Sequence, residues 1–320
     1  MCAIFGFMDY KGIVSSSVLK KLVKLLSVEA ECRGTDATGI SYVKDGEMVT
    51  FKKARPAHKV KLYFPADTKC VIGHTRMTTQ GSEKHNYNNH PFEGKCGREN
   101  FSLAHNGVIY NDKELHNKYT LPNTKIETDS YVAVQLLEHF GNVNIENIKK
   151  ISELVEGSFV FTILRNDNTL FLVKGCNPLT LYHFPTLGLY VYASTKSIFD
   201  NALRKSGLTY KKCEIEVTEG EILQLNSDGT ISRSAFEVKE KYHSFWNPYS
   251  FSIAEYADWC DEFENEELLL EYCGMFGVSE EDVELLLEYG YDADTIEEML
   301  MDTTMLEEAL AEIKNAYCVE

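Results

Sequence analysis

The sequence predicts an α+β fold in which sheets pack together under a cover of helices, followed by a small acidic all-helical appendage. Three observations support this prediction. Apolar or alternating runs typical of strands occupy both ends of the first 225 residues. Segments with a helical period lie mainly between them. Near residue 245 the composition changes, and helix-forming residues dominate from there onward.

Charge divides the chain at the same place. The net charge of the 320 residues is -17, but residues 251–320 hold 22 acidic residues against one lysine and therefore carry -21. The first 250 residues are left with +4. We expect a near-neutral domain over residues 1–245 and an acidic helical region over 246–320. Neither part has a basic patch of the kind that binds nucleic acid.

Three further features bear on where the protein works. The nine cysteines are irregularly spaced without any CxxC pair, which argues against a disulfide framework or a zinc knuckle. The run CAIFGFM near the start is too short for a secretory signal and leads directly into Asp9. No stretch of 18 apolar residues occurs in the sequence. We therefore expect a cytoplasmic protein that does not span a membrane.

The first half of the chain combines short strands with a few helices. The opening apolar run is closed by a polar turn, and Ser16 or Ser17 is available to cap the helix that follows. Lys44-Asp45-Gly46 separates the two strands of a predicted hairpin. The expected elements are a strand at 2–8, a helix from 16 or 17 to about 30, strands at 40–43, 48–51, 70–75 and 101–105, and helices at 128–139 and 145–154.

The second half is rich in strands up to residue 225 and helical after the boundary. In the acidic region, leucine and methionine recur at the three- and four-residue spacing of helices. The expected elements are strands at 159–164, 169–173, 187–193 and 221–225, a helix at 196–204, and later helices at 266–272, 280–289, 294–301 and 304–317.

Cys2 directly follows the initiator methionine. Methionine ahead of so small a side chain is normally removed, which would leave a cysteine whose free α-amino group has an ordinary pKa near ~8. That amine could act as the base for its own thiol, so that one residue supplies both nucleophile and base. The alternative, on this residue alone, is a buried thiol without a catalytic role.

Three other stretches could bind parts of a small substrate. Arg76, in GHTRMTTQG, could hold a carboxylate in bidentate fashion or could form a surface ion pair. Asn106-Gly107 is a tight-turn signal, but the pair could also present an amide and a backbone N–H to an oxyanion. Thr128 or Asp129 would ordinarily cap the next helix, but the Asp129 carboxylate could instead pair with an ammonium group.

Together these residues suit one kind of substrate. A cysteine with its own amine, an arginine for a carboxylate, an aspartate for an ammonium and an Asn-Gly donor pair fit the hydrolysis of an α-amino acid amide. Glutamine carries all three matching groups. No metal or cofactor is expected, because the spacing matches no compact ligand pattern for four histidines: His74, His85, His90 and His105.

The same stretches closely resemble the class II glutamine amidotransferases, whose nucleophile is an N-terminal cysteine. Order and spacing agree over roughly residues 2–225. Met77 and Gln80 depart from the pattern, because the branch that aminates sugar phosphates usually has tryptophan and histidine there. The resemblance rests on MC-x-I-x-G at the start, RGTDATG at 33–39, GHTR-x-x-T-x-G at 73–81, NHPF at 89–92, HNG-x-I-x-N at 105–111 and TDS at 128–130, with weaker matches at CNPL (176–179) and YAST (192–195).

The resemblance implies a four-layer αββα sandwich of the N-terminal-nucleophile hydrolase type. It also implies hydrolysis of L-glutamine to glutamate and ammonia through a thioester, without a metal or cofactor. By motif position it implies the following roles: Cys2 as nucleophile, Asn106 and Gly107 as oxyanion hole, Arg76 and Asp129 as ligands of the α-carboxylate and α-amino groups, Thr79 and Gly81 in the loop that closes over glutamine, and Arg33 and His74 in support.

Members of this family usually carry a second domain that consumes the ammonia, and the acidic region is too small to be one. We therefore expect the ammonia to pass to a separate synthase subunit. A homo-oligomer is compatible with the sequence. Two other functions stay open: a hydrolase of other γ-glutamyl amides or peptides, and a non-catalytic protein that binds partners through its acidic helices.

Overall fold

The chain divides into two compact units, Met1–Tyr242 and His243–Glu320. Among the described residues, none of the helices has the length and hydrophobicity that a membrane span requires. The structure, a computed structural model, describes residues 2–239 and, beyond them, residues 273, 278–289, 291, 295–296, 299, 306, 309–311 and 313.

The described part of the first unit is built from antiparallel strands and five α-helices. Its strands are β1 (Ala3–Asp9), β2 (Ala37–Lys44), β3 (Glu47–Lys53), β4 (Cys70–Arg76), β5 (Phe92–Cys96), β6 (Glu99–Ile109), β7 (Gly157–Arg165), β8 (Leu170–Lys174), β9 (Thr180–Phe184), β10 (Leu189–Ala193), β11 (Cys213–Ile215), β12 (Glu221–Leu225) and β13 (Ile231–Ala235). Its helices are α1 (Ser16–Glu29), α2 (Asp112–Lys118), α3 (Tyr131–Phe140), α4 (Ile145–Leu154) and α5 (Lys196–Ser206).

The strands form two sheets that pack face to face. Seven strands form the first sheet in the order β11-β9-β10-β1-β4-β2-β3, and six form the second in the order β13-β12-β8-β7-β6-β5. β1 lies in the centre of the first sheet. Phe5 and Phe7 point to its outer face, and Ile4 and Met8 point into the space between the sheets. Because both faces are buried, β1 is apolar from Ala3 to Met8 instead of alternating.

Helices cover the outer face of each sheet. α1 and α5 bury Leu22, Leu26 and Phe199 against the first sheet. α3 and α4 bury Leu136 and Ile148 against the second sheet. The unit therefore has four layers in the order αββα, and the predicted α+β sandwich is confirmed.

Most predicted elements are present, and those that were not predicted lie mainly at sheet edges. β5, β11 and β13 are edge strands, where the side chains are partly exposed and the apolar alternation is weak. β9 and α2 were not predicted either. The helix expected from residue 128 begins instead at Tyr131.

In the second unit, the described residues include the helix α6 (Glu280–Tyr289), which matches the helix predicted at 280–289. The other helices predicted for the acidic region fall wholly or largely outside the described residues. A separate apolar cluster is buried in this unit and comprises Cys273, Val283, Leu286, Ile296, Met299, Leu306, Ala309 and Ile313.

Candidate active site

Cys2 lies immediately before β1 and is almost completely buried, with 9% of its surface exposed. Because Ala3 pairs with Thr75, Cys2 lies beside the end of β4. Its Sγ donates a hydrogen bond to the carbonyl oxygen of Met77 at 3.4 Å, and its own carbonyl accepts one from Nε of Arg33 at 3.1 Å. Burial raises the pKa of the Cys2 thiol, so the thiol keeps its proton at neutral pH unless a base removes it.

Residues from two sequence motifs hold the backbone around Cys2, which consists of β1 after it and the end of β4 beside it. Ser194, in the YAST stretch, accepts a hydrogen bond from the N–H of Ile4 at its Oγ (2.8 Å) and donates its own N–H to the Ile4 carbonyl (2.9 Å). Gly34, in the RGTDATG stretch, packs against the peptide that joins Arg76 to Met77. A Cβ at Gly34 would come within 2.7 Å of that backbone, so a larger residue would displace the neighbours of Cys2.

Arg76 ends β4 and is buried, with only 3% of its surface exposed. Its guanidinium donates to Oδ1 of Asn89 at 2.7 Å and to the carbonyl oxygens of Gln80 and Gly81 at 2.6 and 3.0 Å. These bonds leave two of its five N–H groups for another ligand. Within residues 2–239 no carboxylate forms an ion pair with it. The alternative of a surface ion pair is therefore wrong for the described residues.

Asn106 and Gly107 lie inside β6, so the alternative of a tight turn is wrong. The Asn106 side chain is fully buried, and neither its Nδ2 nor its Oδ1 has a hydrogen-bond partner among the described residues. Gly107 has a φ of +144°, and a Cβ there would lie 1.9 Å from the carbonyl oxygen of Ser158, so only glycine fits. Buried amides are almost always hydrogen-bonded, so the free amide of Asn106 indicates a ligand site.

Asp129 is buried and does not cap the helix that follows it. Its Oδ2 accepts a hydrogen bond at 2.6 Å from the N–H of Ile109, two residues beyond Gly107 in β6. The N-terminal cap position of α3 is Ser130, whose side chain makes no capping bond either. Asp129 opposes ionisation of the Cys2 thiol electrostatically, and Arg76 favours it. The three side chains therefore share one electrostatic environment.

Thr79 and Gly81 lie in the segment 77–81 that follows β4. Gly81 has a φ of +72°, in the left-handed region that glycine adopts without strain. Thr79 is exposed, and its hydroxyl makes no hydrogen bond to the part of the chain that is described. Gln80, at one of the two positions that depart from the family pattern, donates from Nε2 to the carbonyl oxygen of Glu127 at 2.9 Å.

His74 belongs to a cluster of three buried histidines. Its Nε2 donates to the carbonyl oxygen of His105 at 3.0 Å, which joins β4 to β6, and its ring centroid lies 4.2 Å from that of His90. Burial lowers the pKa of all three rings, that of His74 to about 3, so they are neutral at pH 7. No group of three His, Cys, Asp or Glu side chains within the described ranges is arranged to hold a metal ion.

Sequence reasoning assigned no role to three residues that the structure places around the site. Asn89, in NHPF, accepts from Arg76, and Asn177, in CNPL, donates to the carbonyl oxygen of Asn106 at 2.9 Å. The NHPF and CNPL motifs indicated that these two segments matter, but a motif does not show which atoms form hydrogen bonds. Nζ of Lys52 donates to the carbonyl oxygens of Asn89 and Pro91 at 2.6 and 3.0 Å, and burial lowers its pKa to about 8. No pattern in the sequence marks Lys52.

A cavity of about 340 Å³ adjoins Asp129 and is lined by residues of α2, α3 and the segment 124–129. It is not lined by Cys2, Arg76 or Asn106. The candidate site is therefore defined by the buried polar groups around Cys2 and not by this cavity.

Comparisons with known proteins agree with this geometry. A family model described as a glutamine amidotransferase domain matches residues 74–201. Over 190 residues the chain is 38% identical to glutamine–fructose-6-phosphate aminotransferase (isomerizing) of Staphylococcus aureus, which corresponds to 57% of this chain and 30% of that protein. The chain thus carries a glutamine amidotransferase domain.

Two more similarities describe this amidotransferase domain. It is 33% identical over 211 residues to 7-cyano-7-deazaguanine synthase 2 of Sulfurisphaera tokodaii, a match that covers 62% of this chain and 44% of that protein. Its fold is similar to that of glutamine phosphoribosylpyrophosphate amidotransferase from B. subtilis, with a TM-score of 0.57 at 22% identity over 74% of this chain and 50% of the other. The chain thus spans less than half the length of the two curated relatives.

Proposed function

We propose that this chain hydrolyses the side-chain amide of L-glutamine to glutamate and ammonia, with Cys2 as the nucleophile. One observation carries the proposal: the buried carboxamide of Asn106 has no partner within residues 2–239. Asn106 lies in β6, the same strand whose Ile109 N–H donates a hydrogen bond to Asp129. Arg76 is also buried, and it lacks a carboxylate partner within residues 2–239. An amino acid amide would satisfy all these groups at once.

In this proposal, glutamine is held at both ends. Its α-carboxylate accepts a hydrogen bond from an N–H of Arg76 that Asn89, Gln80 and Gly81 leave free, and its α-ammonium group binds the carboxylate of Asp129. Its side-chain carbonyl oxygen faces Nδ2 of Asn106 and the N–H of Gly107, which stabilise the negative charge that develops there. Both ends are therefore fixed before the bond is attacked.

Removal of Met1 leaves the α-amino group of Cys2 free to act as the base. The amine takes the thiol proton, the sulfur bonds to the amide carbon, and the C–N bond breaks as ammonia leaves with a proton from the same amine. Water then attacks the thioester, which yields glutamate and restores the thiol. The raised pKa of the buried thiol supports a mechanism that needs a base at the moment of attack. Arg33, bonded to the Cys2 carbonyl, holds the terminus in place.

The purified full chain, given L-glutamine, should release glutamate and ammonia in equal amounts. We expect Cys2→Ala to lower this rate by at least ~10³-fold, because the nucleophile is lost. The matched control is Cys96→Ala, which removes another buried thiol from β5, in the second sheet, and should leave the rate unchanged. An unchanged rate in Cys2→Ala, or an active protein whose intact mass still includes Met1, would rule out the mechanism.

The same assay, run on a panel of substrates, separates glutamine from other γ-glutamyl compounds. Faster hydrolysis of γ-glutamyl amides or peptides than of free glutamine would replace the proposed substrate but keep Cys2 as the nucleophile.

We further propose that residues 1–245 are the glutaminase domain and that the ammonia passes to a synthase on a separate chain in the cytoplasm. The described site residues all lie within residues 2–239, and the chain spans less than half of relatives whose names describe an aminotransferase and a synthase. In this proposal, residues 246–320 are available for contact with the acceptor.

A further inference from the structure

We infer that Asn177 is a positioning residue for the oxyanion hole, because it orients the peptide group whose N–H is that of Gly107. This role rests on the proposed function, in which that N–H stabilises the negative charge on the substrate oxygen. Asn177 itself touches neither the substrate nor Cys2 in this assignment and acts through the backbone of β6.

The geometry follows from a single peptide group. Asn177 is buried, and its Nδ2 donates a hydrogen bond of 2.9 Å to the carbonyl oxygen of Asn106. That carbonyl and the N–H of Gly107 belong to the same peptide, which is planar and trans, so the two groups point in opposite directions. A donor that holds the carbonyl on one side therefore sets the direction of the N–H on the other.

The pairing of Asn106 with Val160 holds this peptide in the sheet, and Asn177 adds a donor from outside both strands. Gly107 has no Cβ and a φ of +144°, so side-chain sterics at this residue do not restrict the peptide before it. The Asn106 side chain has no hydrogen-bond partner within residues 2–239 that would brace it. A hydrogen bond to the carbonyl also polarises the peptide and makes its N–H a stronger donor.

The segment that carries Asn177 is itself fixed opposite Gly107. The N–H of Gly175 donates to the carbonyl oxygen of Phe159 at 3.0 Å, and Phe159 pairs with Gly107 across β6 and β7. A Cβ at Gly175 would lie 2.6 Å from the same carbonyl oxygen, so the close approach requires glycine. Asn177 therefore lies two residues after Gly175, which is hydrogen-bonded to the strand that pairs with Gly107.

Two substitutions in the full chain separate donation from packing. Asn177→Asp keeps the shape but replaces the donor by an oxygen, whereas Asn177→Ala removes the side chain. We expect both to lower kcat for glutamine by ~10–100-fold and to leave KM within about threefold, because the interaction matters most when the oxyanion forms. The matched control is Asn147→Ala in α4, which also removes an asparagine Nδ2 that donates to a backbone carbonyl, that of Asn142, at 3.0 Å. This substitution should leave both kcat and KM unchanged.

A second readout reports on the oxyanion hole itself. The aldehyde analogue of glutamine adds the Cys2 thiol across its C=O bond, so that a new C–S bond forms and the resulting oxygen occupies the hole. Glutamate, the product, binds without such an adduct. We expect both Asn177 variants to weaken aldehyde inhibition by the same ~10–100-fold and inhibition by glutamate by less than about threefold.

The outcomes are distinguishable. Wild-type kcat in Asn177→Asp, or equal weakening of aldehyde and glutamate, would overturn the role of Asn177 while leaving the proposed function intact. A wild-type chain that neither hydrolyses glutamine nor binds the aldehyde would overturn the proposed function, and the role of Asn177 would fall with it. Retention of the wild-type circular dichroism spectrum shows that a variant is folded.

Discussion

Single residues of the site combine burial with polarity, and burial changes their protonation. Burial lowers the pKa of His74 to about 3 and that of Lys52 to about 8. It also lowers the pKa of His90 and His105. Each of these side chains is easier to protonate in water than in the folded protein. Keeping them buried and neutral therefore lowers the free energy of unfolding wherever the unfolded chain would be protonated.

We expect the free energy of unfolding to decrease as the pH falls below about 6.5, the ordinary pKa of histidine. In the unfolded chain His74, His90 and His105 take up protons at that pH, whereas in the folded chain their pKa values are lower. Between the two values the unfolded state binds more protons, so stability rises with pH across this window and is lost on acidification. His90→Gln should reduce the slope below about pH 6.5, by at most about 1.4 kcal/mol per pH unit, which is the contribution of one proton.

Urea unfolding followed by near-ultraviolet circular dichroism at several pH values measures this slope. The control is Val160→Ala, a buried substitution in β7 without a titratable group, which should lower the free energy of unfolding equally at every pH. Equal slopes for the wild type and His90→Gln would contradict the prediction.

Among the structural elements, the segment 77–81 after β4 has the closest link to substrate binding. The carbonyl oxygens of Gln80 and Gly81 both accept hydrogen bonds from Arg76, so the position of the segment and that of the guanidinium depend on each other. Gln80 also ties the segment to the backbone of Glu127, close in sequence to Asp129. The two ends of the proposed glutamine site are thus linked through one short segment.

We expect Gly81→Ala to raise the KM for glutamine about tenfold, equivalent to about 1.4 kcal/mol. Alanine is strained at a φ of +72°, and its Cβ would lie 3.0 Å from Cβ of Glu127, so the segment must shift and move Arg76 with it. Steady-state kinetics with glutamine measure the effect.

The control for this substitution is Gly97→Ala, in the turn between β5 and β6. Gly97 also has a positive φ, +60°, but a Cβ there would meet nothing within 4 Å. It should cost a similar ~1 kcal/mol of stability without changing the KM. A KM that rises equally in both variants, or in neither, would show that the segment does not position Arg76.

Each of the two units has an apolar core of its own among the residues that the structure describes. The three clusters of the first unit lie within residues 2–239, and the cluster of the second unit involves only residues from 273 onward. All proposed site residues belong to the first unit. A unit that has its own core and contains every proposed site residue is expected to fold and act alone.

We therefore expect a chain that ends at residue 245 to hydrolyse glutamine with kcat/KM within about threefold of the full chain. In pull-down experiments the full chain should retain the ammonia acceptor, and the shortened chain should not. The acceptor is identified as the retained protein that, once purified, stimulates glutamine hydrolysis by the full chain. A folded but inactive shortened chain would show that the second unit contributes to catalysis. Equal retention of the acceptor by both baits would place its contact in the first unit.

Much of the fold could be predicted because its signals are local. β1, the β2–β3 hairpin and the central strands of the second sheet are apolar or alternating over their own lengths. The edge strands β5, β11 and β13 escaped prediction because their partly exposed side chains weaken that pattern. The start of α3 was placed too early because the polar residues before it resemble caps, whereas Asp129 bonds to β6.

Periodicity in the sequence was enough to predict packed sheets covered by helices, and its motifs, through the family resemblance, pointed to the αββα layers and to the residues of a glutamine site, because both are properties of neighbouring residues. Which atoms meet depends on the packing of the folded chain. The bond from Ile109 to Asp129 spans 20 positions and that from Asn177 to Asn106 spans 71. Such contacts depend on how strands from two distant parts of the chain pack, and no local pattern encodes that geometry.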